Sequence, residues 1–120
     1  MGAVDAYIAA QPPPFAAALT DLRARLIALL PDHIECMSYA MPGLRQPIKG
    51  GKMVIGYAGF AKHIGVYPHS GSIIGQIDCA PFKTSKSGFM FAPDTPPPAM
   101  LLRAIINARL AEIAAKAVLR

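Results

Sequence analysis

From Phe15 onward, apolar side chains recur every three or four positions, at Leu19, Leu22, Leu26 and Leu29, with Asp21, Arg23 and Arg25 mostly opposite them. That spacing draws one apolar stripe along a helix, and Pro31 closes it. The proline triplet at 12–14 separates this helix from a short opening one over 4–10. Near the other end, Leu102, Ile106, Leu110, Ile113 and Ala117 form a second stripe, predicting a helix that runs to about Leu119. Thr95 stands where an N-cap belongs, Pro96 at the first helical position, and Glu112 with Lys116 one turn apart as an ion pair.

Between the helices the period falls to two. Residues 34–41, IECMSYAM, alternate loosely, and Pro42-Gly43 turn the chain. Residues 44–60 read as a hairpin around Gly50-Gly51, whose glycines permit the positive φ of tight hairpin turns. Pro47 cannot donate to a ladder, which places the 44–49 strand at a sheet edge. A second hairpin turns near Ala61-Lys62 and returns through HIGVYP, 63–68. In SGSIIGQID, 70–78, Ser70 or Ser72 can cap one or two helical turns, and 82–93 gives a polar loop and a short strand. The predicted architecture is a single α+β domain over 1–120: an antiparallel β meander packed on N- and C-terminal helices in two layers, one sheet face left open or covered by loops. In the return strand, Ile64 and Val66 mark the core side, so His63, Gly65 and Tyr67 face the other way.

Charge and composition narrow the function. No apolar run reaches the roughly 18–20 residues of a membrane span. MGAVDAYIAAQ has neither a basic leader region nor a small-residue cleavage site, so the expected compartment is the cytoplasm. Cys36 and Cys79 form no CxxC motif and read as reduced, packed thiols. The net charge of +5 is carried by the middle of the chain. Arg45, Lys49, Lys52, Lys62, Lys83 and Lys86 there face only Asp78. Such a window suits an anionic partner, whether small molecule or polymer, or else solvated lysines guarding sheet edges. Absence of Trp and of any recognition motif argues against nucleic acid.

Three separated segments, SYAMP (38–42), FAKHIGVYP (60–68) and KTSKSGFMFAPDTPPP (83–98), follow DAYIAAQPP (5–13). In order and spacing they resemble the YdhG-like family, a domain of unknown function. The resemblance implies a compact, frataxin-like α+β domain. One family member is regarded as an intracellular iron chaperone feeding iron–sulfur and haem assembly, which makes iron the implied metal. Iron delivery of the frataxin type uses a ridge of carboxylates; here the first two helices offer Asp5 and Asp21, with Asp32 and Glu35 just beyond. Asp21, Asp32 and Glu35 are the metal candidates, and the HxxC pair His33 and Cys36 lacks a second half. The family loop reads KTSKG, whereas Ser87 is inserted before Gly88 here.

The residues themselves suggest a ligand pocket on the open face. His63, Tyr67 and Tyr39 line it over Gly65, and the loop Lys83, Thr84, Ser85 and Lys86 closes it with ammonium, hydroxyl and N–H donors for a phosphate or carboxylate. KTSK is not a phosphate-binding P-loop, since no GxxxxGK[ST] precedes a helix. Two alternatives stand beside this binding module: iron chaperoning, and an enzyme in which His63 activates Ser85 with Asp78 or Asp94 as orienter.

Overall fold

A computed structural model describes residues 2–118. The chain forms α1 (Ala3–Ala9), α2 (Pro13–Leu29), β1 (Ile34–Ser38), β2 (Met41–Arg45), β3 (Met53–Gly59), β4 (Ile64–Tyr67), β5 (Lys83–Thr84), β6 (Phe89–Phe91) and α3 (Ala99–Val118). The strands make one sheet in the order β1-β2-β3-β4-β6-β5, every neighbouring pair antiparallel. It is the α+β arrangement that helical periodicity at both ends and alternation between them require. The expected end of α3 at Leu119 lies outside the described residues.

One sheet face carries the core. Leu19, Leu22 and Leu26 of α2 and Leu102, Ile105 and Ile106 of α3 are buried against it. From the sheet, Leu44, Ile55, Tyr57, Ile64, Val66 and Phe89 point into the same cluster. A β-bulge helps: Leu44 pairs with Ile55 but Arg45 with Met53, so Val54 is an extra residue. Val54 and Ile55 consequently both enter the core. The long connection from β4 to β5 crosses on the helix side, where Ile73, Ile74 and Cys79 join the cluster.

Two arginines fasten the layers. Arg23 of α2 grips Glu35 of β1 in a bidentate pair, at 2.7 and 2.8 Å, and Asp5 of α1 at 2.8 Å. Planar guanidinium groups suit such forked contacts. Arg109 of α3 donates its Nε and Nη2 to the carbonyl of Met53, at 3.0 and 2.8 Å, where β3 begins.

Several local expectations are corrected. The β1–β2 turn is made by Tyr39 and Ala40, with φ of 52° and 59°, while Pro42 and Gly43 lie inside β2. Strand β2 ends at Arg45 in the sheet interior, and Pro47 sits in the following loop, so the edges are β1 and β5. α3 starts at Ala99 rather than Pro96: each proline disfavours helical backbone in the residue before it, so a run at 96–98 delays the helix. Thr95 instead bonds back to the Ala92 carbonyl. Residues Ile74–Gln76 form a 3₁₀ turn without a side-chain cap, because the Ser70 and Ser72 hydroxyls go to Glu112. Glu112 pairs with Arg109 in place of Lys116, and Ala117 is exposed rather than in the core stripe.

Candidate functional site

The face turned away from the helices has a glycine floor. Directly paired residues share a sheet face, and one cross-strand row reads Cys36, Gly43, Gly56, Tyr67. A side chain at Gly43 would put its Cβ 2.6 Å from the Ile55 carbonyl oxygen. One at Gly56 would stand 2.7 Å from Nε2 of His69, so the imidazole lies directly on that glycine. The Cys36 thiol donates to Met53 Sδ at 3.4 Å beside it. Farther along the face, the Tyr67 ring covers Gly65 and Gly88.

His69 follows β4 with φ of 55°, an uncommon conformation for a residue with a Cβ. Its Nε2 is buried without a hydrogen-bond partner. Burial, and then the nearby charge of Arg109, hold the imidazole below its ordinary pKa of 6.5, so it is neutral at pH 7. The Tyr39 ring stacks loosely on it, centroids 6.2 Å apart, while remaining 86% exposed. Three left-handed residues, Tyr39, Ala40 and His69, thus gather at one place, as strained backbone does at functional sites.

Behind His69 opens a half-enclosed cavity of about 550 Å³. The loop from β2 to β3 supplies one wall through Gln46, Ile48, Gly50 and Lys52. Segment 69–71 supplies a second, and Arg109, Ile113, Lys116 and Ala117, on successive turns of α3, supply the third. A polar network fixes the last two walls together: Arg109 Nη1 donates to Glu112 Oε1 at 2.8 Å, and Glu112 Oε2 accepts from the Ser70 hydroxyl at 2.9 Å and from Ser72. The Ser72 hydroxyl above all, with Ser70 and Arg109, holds the Glu112 carboxyl at about 2, against the opposing effect of its burial. Lys52 and Lys116 make no ion pair among the described residues. Three cations against one carboxylate leave this region two positive charges.

Of the residues singled out from sequence, His63 and Lys83 line a separate groove of about 480 Å³ with Lys62, Phe82, Met90 and Thr95. The His63 ring stacks on Phe60 at 4.9 Å. Thr84 pairs with Phe89 at the sheet edge, and the Ser85 hydroxyl lies 3.2 Å from that of Ser87. Lys86 leans over Gly71. Tyr67 sits on its glycines and Tyr39 at the β1–β2 turn, so the seven do not converge on one point. Asp21 is paired with Arg25 and Glu35 with Arg23, while Asp32 is exposed. Among the described residues no three His, Cys, Asp or Glu side chains gather as a metal would need.

Sequence reasoning passed over His69 and Arg109, and it named Lys52 only in the cationic window and Lys116 only beside Glu112, without bringing them to one site. One signal was present: Arg109 occupies a stripe position between Ile106 and Ile113, where a cation calls for a partner.

No family model matches the chain, nor does any curated protein. The fold is similar to the crystal structure of YdhG, a protein of the DUF1801 family from Bacillus subtilis, with a TM-score of 0.82 over 93% of this chain and 91% of that one. At 16% sequence identity, that likeness is one of fold.

Proposed function

We propose that this chain is a YdhG-like domain whose task is to hold a small anionic ligand in the cavity beside His69. The ordered SYAMP, FAKHIGVYP and KTSKSG segments support the family assignment, together with the shared fold. The observation that carries the ligand is the convergence of Lys52 and Lys116, neither held in an ion pair among the described residues, on a cavity backed by Arg109. Its rear wall is rigid, because the Arg109–Glu112–serine network joins α3, β3 and the 68–72 segment. In such a recess two ammonium groups favour a phosphate or carboxylate both by charge and by hydrogen bonding.

The His63 groove is the rival location. It brings Lys62 and Lys83 together, but on a hairpin turn and an exposed edge strand, among mainly apolar neighbours. Iron delivery has less support, because arginine already occupies two of its three candidate carboxylates. Titration with inorganic phosphate, followed by amide chemical shifts, separates the two anion sites. Replacing Lys52 and Lys116 together by Ala is expected to weaken binding at least ~10-fold, about 1.4 kcal/mol for two charge contacts. The Lys62→Ala, Lys83→Ala pair is expected to leave it unchanged. The reverse pattern moves the site to the groove, and no binding by the parent chain ends the anion reading.

A further inference from the structure

The cavity is much larger than the charge it attracts. A phosphate or carboxylate group takes up the space of a few water molecules, each about 30 Å³, whereas about 550 Å³ is available. Volumes of that order hold organic ligands of some ten or more heavy atoms. The walls also divide by chemistry. Lys52, Arg109 and Lys116 offer donors, while Ile48, Ile113 and Ala117 offer hydrocarbon to the same space.

Ile48 is the informative residue. It projects from the loop between β2 and β3 and is 60% exposed, although it belongs to no packed cluster of the core. The loop 46–52 lines the cavity with Gln46, Ile48, Gly50 and Lys52. The Gln46 amide donates to the Lys52 carbonyl and the Gly51 amide to that of Ile48, so Ile48 opens the turn two residues beyond the paired Gln46 and Lys52. Ile113 approaches from α3, one turn beyond Arg109 and less than one turn before Lys116. Each of these two walls therefore contributes both an aliphatic side chain and a cation to the cavity. A bare inorganic anion would leave those isoleucines in water; a ligand with a hydrocarbon body covers them.

Resting on the anion reading above, we infer that the ligand is an amphiphilic organic anion. Its carboxylate or phosphate is held by Lys52 and Lys116, and an apolar body of several carbons lies between Ile48 and Ile113. Gly50 brings bare backbone to the same space, with nothing within 4 Å of where its side chain would stand, which leaves room for the body.

The test is a series of straight-chain monocarboxylates, from acetate to octanoate, titrated into the full chain at pH 7.5 beside inorganic phosphate. Affinity is expected to rise about two- to fourfold per added methylene, the factor that hydrocarbon burial gives when partial to complete. Ile48→Ser lies on an exposed loop and removes no core contact; it is expected to flatten that rise while leaving phosphate binding unchanged. The Lys52→Ala, Lys116→Ala pair is expected to weaken octanoate and phosphate alike. Phosphate binding with acetate and octanoate equally weak overturns the amphiphile alone. So does a length dependence that survives Ile48→Ser, or octanol binding as tightly as octanoate. Failure of phosphate and every carboxylate to bind removes the anion reading and this inference together.

Discussion

Gly43 and Gly56 face one another across β2 and β3, and they serve different ends. At Gly43 an added methyl meets the Ile55 carbonyl oxygen at 2.6 Å and the Gly56 Cα at 3.1 Å, both backbone atoms that cannot step aside. At Gly56 it meets the His69 ring, which can swing away. Gly43→Ala is therefore expected to cost about 3 kcal/mol, the upper range for overpacking, and Gly56→Ala only about 1 kcal/mol. The smaller loss has a functional price, since displacing His69 reshapes the cavity wall: Gly56→Ala is expected to weaken phosphate binding several-fold while the protein stays folded. Urea unfolding ranks the two variants, and the phosphate titration reads the second effect. Equal destabilisation, or unchanged binding in Gly56→Ala, would contradict this division of roles. None of it is legible in the sequence, because the meeting of His69 with Gly56 depends on a left-handed residue after Pro68 and on a register set across two hairpins.

At the scale of elements, the β1–β2 turn shows what local signals miss. Two-residue hairpin turns with both central φ positive favour Asn-Gly, because those residues tolerate the left-handed region. Here Tyr39 and Ala40 occupy it, and the stronger turn signal of Pro42-Gly43 is spent inside a strand. Strain of about 1–2 kcal/mol per residue is expected for side chains in that conformation. Ala40 is exposed, so Ala40→Gly relieves strain without losing packing. Stability is expected to rise by about 1 kcal/mol, and Tm by about 4 °C in a thermal melt; an unchanged or lower Tm would show the turn to be unstrained. By contrast, α2 was plain in the sequence because Leu19, Leu22 and Leu26 pack on a single face. The stripe of α3 was read only in part. Leu102 and Ile106 are in the core, but Arg109 takes a buried place that an aliphatic would normally hold, and Ala117 is turned outward. What periodicity could not contain was the partner, a carbonyl 56 residues away.

For the whole molecule, charge ties distant elements together and should do so in a pH-dependent way. Glu112 links α3 to the crossover through Ser70 and Ser72, and its folded pKa of about 2 lies below its ordinary 4.5. A depressed carboxylate stabilises the fold above its unfolded pKa, and that contribution is lost as pH falls from about 4.5 toward 2. His33 and His69 act higher. Burial lowers both below 6.5, so the unfolded chain takes up protons first and stability declines once pH drops under that value. Unfolding free energy is therefore expected to be level between pH 6.5 and pH 8 and to fall in two stages below that. Glu112→Gln should lower stability at neutral pH by about 1–2 kcal/mol, through loss of charge-assisted hydrogen bonds. The same variant should shrink the lower stage while leaving the upper one intact, because the imidazoles keep their burial. Urea titrations from pH 8 to pH 3 measure both stages, and a lower stage as steep in Glu112→Gln as in the parent would place the acid-sensitive link elsewhere than the wall that α3 shares with the crossover.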